Sequence, residues 1–239
     1  PVEELYNEAM DLFEADEYKK AAAAFDEVDR QHPYSIWATK AQLMAAYVNY
    51  LNDAYDEAII ALDRFIELHP GNPDTPYAYY LRAIAYYEQI TDVERDQKIT
   101  MLALNSLSEV AQRYPGTTYA RDALLKIDLA QDHLAGKEMT IGRFYLNRGE
   151  NLAAINRFRT VIERFQTTTH VPEALHRLVE AYLSLGITQE AQMAAAVLGH
   201  NFPASDWYQD SYALLEGRGL EPAENPGGWN SWISKLWSW

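Results

Sequence analysis

Tyrosine and arginine are the residue types with which this sequence could do chemistry, and that chemistry is recognition. The chain has 17 tyrosines and no cysteine, so it offers no thiolate nucleophile, disulfide or cysteine metal site. A phenol ring buries apolar area while its hydroxyl can still hydrogen-bond, which suits protein-binding surfaces. Tyr79, Tyr80, Tyr86 and Tyr87 form two adjacent pairs, and neighbours on a helix point about 100° apart. They cannot all face one core, so some are expected to line an exposed groove.

Sequence patterns that are typical of enzymes are missing. The chain contains no GxSxG, GxxxxGK[ST] or HExxH motif, which are signatures of nucleophilic, phosphoryl-transfer and zinc chemistry. His170 and His176 are six residues apart, a poor spacing for two metal ligands on one helix face. His32, His69 and His200 precede expected helix ends, where an imidazole ordinarily acts as a cap. We therefore predict no catalytic residue, no metal site and no cofactor.

Charge is unevenly distributed along the chain. The net charge is −15, and residues 1–75 hold sixteen acidic against five basic side chains. Such a surface repels phosphates, which argues against nucleic-acid binding. It is either a solvated exterior that keeps the protein soluble or a docking surface for basic partner segments. Residues 137–164, by contrast, hold six basic against three acidic side chains.

A repeating helical frame must position these residues. In residues 53–70, apolar side chains fall at spacings of 0, 3, 4, 7, 10 and 11 from Tyr55, the stripe of an amphipathic helix, and Pro70 ends it. Thirty-seven residues earlier, Tyr18 and Pro33 occupy the same positions. The frame recurs at Ala103, Leu107 and Pro115, at Ala154 and Phe158, and at Ala191, Ala195 and Pro203.

The fold class follows from small residues that accompany this frame. An alanine lies eight residues after each terminator position, at Ala41, Ala78, Ala123 and Ala174. Helix pairs with small residues at their crossing resemble tetratricopeptide repeats. We therefore predict an all-α fold, a right-handed superhelical solenoid of five tetratricopeptide-like helix pairs.

Domain boundaries are predicted from the same repeat frame. Residues 1–116 would form repeats 1 to 3, and residues 117–216 would form repeats 4 and 5. One long helix, from about 118 to 148, would link them, with Gly136 and Gly142 weakening but not stopping it. Residues 217–239 are predicted to be a linker and an aromatic C-terminal tail.

The tail has the spacing of one apolar helix face, formed by Trp229, Trp232, Ile233, Leu236 and Trp237. Such a face could contact a partner subunit or rest at a membrane interface, where tryptophan is favoured. A flexible end is the alternative, because so short a peptide is marginal as an isolated helix.

Several segments resemble the family of the outer-membrane protein assembly factor BamD, in its alphaproteobacterial form. The resemblance covers about residues 2–215. It rests on RQHPYSIWATKAQLMAAYVNY, AIIALDRFIELHPGNPDTPYAYYLRAIAYY, QRYPGTTYARDAL, RFYLNRGENLAAINRF, AYLSLGITQEAQMAAAVLGHNFP and the tail SWISKLW.

The resemblance implies a non-enzymatic scaffold of the outer-membrane β-barrel assembly machinery. Family members join BamA and other lipoproteins of the complex, and help to insert unfolded barrel proteins. It implies a location at the periplasmic face of the outer membrane, through an N-terminal lipid anchor that this chain does not contain. Because Pro1 follows no initiator methionine, we expect a trimmed N-terminus. Another periplasmic repeat adaptor, such as a cell-division coordinator, is the alternative.

Two partner surfaces are implied by the resemblance. The BamA contact would be Arg157, with Arg148 and Arg159 nearby; alternatively, these arginines are solvated or pair with Glu150 and Glu163. The aromatic C-terminal end of an unfolded barrel protein would enter a groove in the N-terminal units. The residues expected to line this groove are Trp37, Tyr47, Tyr50, Tyr79 and Tyr80, with packing between helices as the alternative role for each.

Overall fold

A computed structural model describes residues 1–90 and 97–224, and within these ranges the chain is entirely helical, with no strand. The eleven described helices are α1 Val2–Glu14, α2 Tyr18–Gln31, α3 Ile36–Leu51, α4 Tyr55–Leu68, α5 Thr75–Glu88, α6 Gln97–Arg113, α7 Thr118–Asn147, α8 Asn151–Arg164, α9 Val171–Ser184, α10 Thr188–Asn201 and α11 Asp206–Glu216. The predicted all-α fold class is confirmed.

The helices form two compact units that divide inside α7. Unit 1 spans Pro1–Ala130 and unit 2 begins at Gln131. Unit 1 therefore holds α1 to α6 and the first turns of α7, and unit 2 holds the rest of α7 and α8 to α11. The boundary that the repeat frame places at 116/117 stays a prediction.

Consecutive helices pack on each other within each unit. In unit 1, each helix from α1 to α5 packs on the next one. The first helices of neighbouring pairs also contact each other, α1 on α3 and α3 on α5. In unit 2, α8, α9 and α10 follow it, and α11 packs on α9 and α10. The predicted crossing residues Ala41, Ala78, Ala123 and Ala174 are all inaccessible to solvent. Stacked tetratricopeptide-like helix pairs are thus confirmed.

The second helix of four pairs ends in the same backbone conformation. His32, His69, Phe165 and Phe202 leave their helices with φ between −128° and −134° and ψ between 46° and 54°. A following proline disfavours the helical conformation of the residue before it. Phe165 is followed by Gln166 instead, so the exit conformation forms without proline.

The turn within each of four helix pairs contains one residue in the left-handed region. Asp16 and Asp53 have φ of 58° and 57°, whereas Gly149 and Gly186 have φ of 76° and 75°. The two aspartates accept hydrogen bonds from Tyr18 and Tyr55, at 2.7 and 2.9 Å. Hydrogen bonding to Asp53 raises the pKa of Tyr55 to about 12. In these two repeats an aspartate therefore adopts the left-handed backbone conformation that glycine adopts in the other two.

Gly186→Val is expected to destabilise the protein by about 1–2 kcal/mol, because a β-branched residue is strained at positive φ. Gly186→Asn is the matched control and should cost much less, since asparagine tolerates this region. Urea unfolding followed by circular dichroism measures both. Equal losses for the two variants would mean that the backbone conformation is not the cause.

The last described helix, α11, covers the C-terminal part of unit 2 by packing on α9 and α10. Leu215 of α11 is fully buried, and the Ser205 hydroxyl caps the helix by accepting from the Trp207 amide. The chain then turns back: Arg218 donates to the Leu183 carbonyl at 2.8 Å, and the Ala223 amide donates to that of Gln192 at 3.2 Å. The segment after α11 thus contacts α9 and α10 up to the end of the described residues.

Candidate protein-binding surfaces

Of the three arginines predicted to contact a partner, Arg148 lies in the turn between α7 and α8, and the other two lie on α8. We call Arg148, Arg157 and Arg159 the arginine surface. Each guanidinium has a carboxylate partner within the chain: Arg148 pairs with Glu150 at 3.0 Å, Arg157 with Glu138 at 3.1 Å and Arg159 with Glu163 at 3.3 Å. Two of these are the pairs that the sequence suggested as the alternative to partner binding. The side chain of Arg157 is still 43% exposed, so it remains accessible to a partner.

Apolar side chains missed by the sequence reasoning lie close to this surface. Phe144 is 54% exposed, and the guanidinium of Arg148 stacks on its ring at 5.3 Å. Leu152, in the first turn of α8, is 68% exposed. The sequence did contain a signal that one aromatic ring is exposed here, because Phe144 directly precedes Tyr145 and adjacent residues cannot share one helix face. Exposed apolar area beside arginine is typical of protein interfaces.

In unit 1, five tyrosines from the first helices of neighbouring pairs form one surface, which we call the tyrosine face. Its members are Tyr47 and Tyr50 on α3, Tyr77 and Tyr80 on α5, and Tyr119 on α7. The Tyr119 ring lies 5.8 Å from that of Tyr77 and 5.2 Å from that of Tyr80. Each of the five side chains is partly buried. The sequence predicted Tyr47, Tyr50 and Tyr80, but it missed Tyr77 and Tyr119.

The hydroxyl groups of this face lie close to one another. Burial, followed by the neighbouring phenols of Tyr47, Tyr119 and Tyr50, raises the pKa of Tyr77 to about 12. Burial and a hydrogen bond to Asp122 raise the pKa of Tyr80 as well. The Tyr77 hydroxyl therefore stays protonated at neutral pH and can donate to or accept from a bound polypeptide, whereas the Tyr80 hydroxyl already donates to Asp122 and can still accept.

Carboxylates border the tyrosine face. The Tyr80 hydroxyl donates to Oδ2 of Asp122 at 2.7 Å, and the charges of Glu88 and Asp53 act on Tyr50. Lys126 lies beside Asp122: its Nζ is 3.8 Å from Oδ2 of Asp122 and 5.0 Å from the centre of the Tyr87 ring. Ammonium, carboxylate and aromatic ring thus already contact one another within the chain.

The other two residues predicted for the groove have different neighbours. The Tyr79 ring packs on Tyr114 at 5.6 Å and lies under the guanidinium groups of Arg82 and Arg113. Trp37 packs on Tyr6 at 5.0 Å, within the cluster formed by α1, α2 and α3. The structure therefore brings three of the five predicted groove residues together.

A buried histidine joins α9 to α11. Nδ1 of His176 is 2.9 Å from Oγ of Ser211, and its Nε2 is 3.7 Å from Oε1 of Glu180. The order serine–histidine–carboxylate resembles a hydrolytic triad. However, Ser211 is completely buried, so its hydroxyl cannot reach a substrate in this conformation. The contact instead holds the last helix in place.

Lowering the pH from 7.5 to 5 is expected to reduce the free energy of unfolding of the wild type more than that of the variant His176→Gln. Burial lowers the pKa of His176 below its usual 6.5, and the charged groups acting on it are Glu180, Asp210 and Glu173, which raise it, and Arg177, which lowers it. The unfolded state therefore binds a proton first as the pH falls. This stabilisation is complete above pH 6.5 and is lost below it.

Urea unfolding at pH 7.5, 6 and 5 measures this difference. His200→Gln is the control, because it removes an exposed histidine and leaves the contact between His176 and Ser211 in place. The same pH dependence in the wild type and His176→Gln would contradict the prediction.

Some sequence predictions fall on residues outside the described ranges. The five tail residues Trp229, Trp232, Ile233, Leu236 and Trp237 are among them. Within residues 1–90 and 97–224, no three or more histidine, aspartate or glutamate side chains are grouped so that they could hold a metal ion. In the same residues, no helix combines the length and apolar character needed to span a membrane.

Antiparallel helix pairs with alanines at their crossings place the chain in the class of tetratricopeptide-like repeat proteins. A family model described as YfiO, outer membrane lipoprotein, matches residues 1–198. The chain is 56% identical to the outer membrane protein assembly factor BamD of Caulobacter vibrioides, over 95% of this chain and 74% of that protein. It is 50% identical to BamD of Rickettsia prowazekii, over 90% and 86% of the two chains.

The chain belongs to this family of BamD outer membrane lipoproteins, and the predicted alphaproteobacterial resemblance is confirmed. A more distant BamD, from Neisseria meningitidis serogroup A, is 36% identical over 85% of this chain and 80% of that protein. Among solved structures, a thermophilic TPR protein of Thermus thermophilus is 19% identical, with a TM-score of 0.41, over 90% of this chain and 100% of that chain.

Proposed function

We propose that this chain is a non-enzymatic scaffold of the outer-membrane β-barrel assembly machinery. It binds the periplasmic domains of BamA and holds unfolded barrel proteins for insertion. It works at the periplasmic face of the outer membrane, beside the other lipoproteins of the complex, where a lipid anchor of the full-length protein holds it. The observation that carries the proposal is family membership: BamD proteins from two organisms are at least 50% identical to this chain.

The arginine surface supports the BamA half of the proposal. Within the arginine surface, Arg157 has the most buried acid partner, since the side chain of Glu138 is only 13% exposed, yet Arg157 itself is 43% exposed. Glu138 therefore fixes the guanidinium while part of it still faces solvent. A pre-positioned arginine can donate further hydrogen bonds to a partner carboxylate at little entropic cost. Exposed Phe144 and Leu152 would add apolar contact area.

The tyrosine face supports the second half of the proposal, the binding of unfolded barrel proteins. Its rings offer apolar contact area, while the clustered hydroxyls can bond the backbone of an extended segment. The neighbouring helices hold these side chains from both sides, so little rotamer freedom would be lost when a segment binds. Trp37 and Tyr79, whose rings lie against other partners, would contribute through packing.

Titration calorimetry of the chain with the periplasmic domains of BamA tests the proposal. We expect the wild type to bind and Arg157→Glu to bind at least about tenfold more weakly, a loss of about 1.4 kcal/mol. The physical reason is that a carboxylate at position 157 would repel the acidic partner group and also Glu138.

Glu138→Gln is the matched control, because it breaks the same internal ion pair but leaves Arg157 in place. Its affinity should fall by less than about threefold, because the glutamine oxygen can still accept from the guanidinium and help to hold it, with both folds verified by circular dichroism. Equal losses for Arg157→Glu and Glu138→Gln would assign Arg157 to internal packing alone. No binding by the wild type would overturn the BamA half of the proposal.

A further inference from the structure

The last described helix has an apolar outer face, which we define as Tyr212, Ala213 and Leu214 of α11. All three residues are exposed, with Tyr212 at 41% and Leu214 at 38%. Ser211 and Leu215, which flank them in the sequence, are fully buried on the side of α11 that packs on α9 and α10. Three consecutive residues cover about 200° of a helix surface, so this packing cannot cover them. A run of exposed apolar residues typically marks a contact surface.

The repeat frame makes α11 the first helix of a sixth pair. Ser211 lies eight residues after Pro203, the spacing at which the other pairs have their crossing alanines, and it is equally inaccessible to solvent. In the second pair, Leu43 holds the position of Ala213 and packs on the cluster around Leu62 of α4, the second helix of its own pair. Residues 217–224 contain no helix. Within the described residues, α11 therefore lacks the second helix that covers this position in the second pair.

The described chain ends close to this outer face. The Leu220 amide donates to the Leu215 carbonyl at 3.0 Å, at the end of α11, and the Ala223 amide donates to the Gln192 carbonyl of α10 at 3.2 Å. Trp229 follows six residues after Ala223, so it lies within about 20 Å of Gln192 even if the chain between them is fully extended. A helix over residues 229–237 would be about 13 Å long, against about 16 Å for α11. The tail is thus long enough and near enough to run back along α11.

We propose that the tail, residues 229–237, is the second helix of this sixth pair and packs its apolar side on the outer face of α11. The residues that share this side are Trp229, Trp232, Ile233, Leu236 and Trp237. So short a helix is marginal alone, but contact with Tyr212 and Leu214 supplies the burial that it lacks. The pair then closes the exposed end of the repeat array, as a terminal repeat must. The inference is independent of the proposed function, and it takes this apolar side away from a partner subunit or a membrane.

Disulfide formation tests the proposal in the full chain, which contains no cysteine of its own. Ala213→Cys is combined either with Ile233→Cys, on the apolar side of the tail, or with Ser231→Cys, two residues earlier and on the opposite side. We expect the intramolecular disulfide to form at least about tenfold faster with Ile233→Cys, because only a docked tail holds that one side against α11. Non-reducing electrophoresis and peptide mass mapping measure both rates, with each fold verified by circular dichroism.

Two results of this experiment would overturn the proposal. Equal rates for the two pairs would mean that the tail samples α11 without a preferred side. Disulfide-linked dimers in place of the intramolecular bond would place the tail on a second copy of the chain.

Hydrogen exchange of α11 gives a second test that needs no cysteine. Trp232→Asp puts a charge on the apolar side of the tail and should speed exchange of the amides of residues 212–216 at least about tenfold, because α11 loses its covering helix. Ser231→Asp, the same charge on the opposite side, is the matched control and should leave this exchange unchanged. Unchanged exchange in Trp232→Asp would contradict the packing of the tail on α11.

Discussion

Leu62→Ala is expected to lower the free energy of unfolding by about 2–5 kcal/mol, the range for truncating a fully buried leucine. Leu62 is inaccessible to solvent and lies in the cluster between α3, α4 and α5. It occupies the repeat position that Phe25, Leu107 and Phe158 hold in other pairs, all of them fully buried. Because each helix pair is stabilised mainly by its neighbours, a cavity here weakens two interfaces at once.

Ile60→Ala is the matched control for this effect, on the same helix and two residues away. Its side chain is 70% exposed, so its truncation removes little buried area and should change stability by less than about 0.5 kcal/mol. Urea unfolding followed by circular dichroism at 222 nm measures both variants. Similar losses at the two positions would contradict the assignment of Leu62 to the core.

Gly142→Ala is expected to destabilise the protein by about 1–3 kcal/mol, although helix propensity alone predicts a gain of about 1 kcal/mol. A Cβ on Gly142 would lie 2.4 Å from Cε1, 2.8 Å from Cδ1 and 2.9 Å from Cζ of Phe158. Phe158 is fully buried, so its ring cannot move aside without disturbing α8. Steric overlap should therefore outweigh propensity.

Gly136→Ala, six residues earlier on α7, separates the two effects. A Cβ there would meet Nε2 of His170 at 3.1 Å, the far end of a partly exposed side chain that can shift. This variant should be as stable as the wild type or slightly more stable. If Gly142→Ala were equally stabilising, the close approach of α7 and α8 would not be a constraint.

A double-variant cycle tests the contact itself. In Gly142→Ala/Phe158→Leu, the shorter leucine vacates the space of the ring atoms nearest the added methyl group. The combined loss should be smaller than the sum of the two single losses by at least about 1 kcal/mol. Additive losses would place the cost of Gly142→Ala elsewhere in unit 2.

The sequence by itself determined where the helices begin and end, because those signals are local. Ser35, a residue type that favours helix N-caps, directly precedes α3, Ile36–Leu51, and its hydroxyl accepts from the Ala38 amide. The long helix expected over 118–148 is α7, Thr118–Asn147. The alanines at the crossings were also predictable, since close helix contact requires small side chains at regular spacing.

Ion pairs were predictable from the sequence only where the two residues lie close together along the chain. The pair Arg148–Glu150 joins two residues of the turn between α7 and α8, and Arg159–Glu163 joins residues four apart within α8. The partner of Arg157 is Glu138, nineteen residues earlier. That pair exists only because α7 and α8 pack against each other, so the sequence did not suggest it.

The tyrosine face was decided by tertiary structure for the same reason. Tyr79 and Tyr80 are neighbours of one type in one helix, yet the first lies between Arg82 and Arg113, whereas the second bonds Asp122, 42 residues away. Periodicity places the two rings on different faces, but it does not say which face meets which helix. That choice depends on how α5 packs against α6 and α7, and the hydrogen bond from Tyr80 to Asp122 depends on it too.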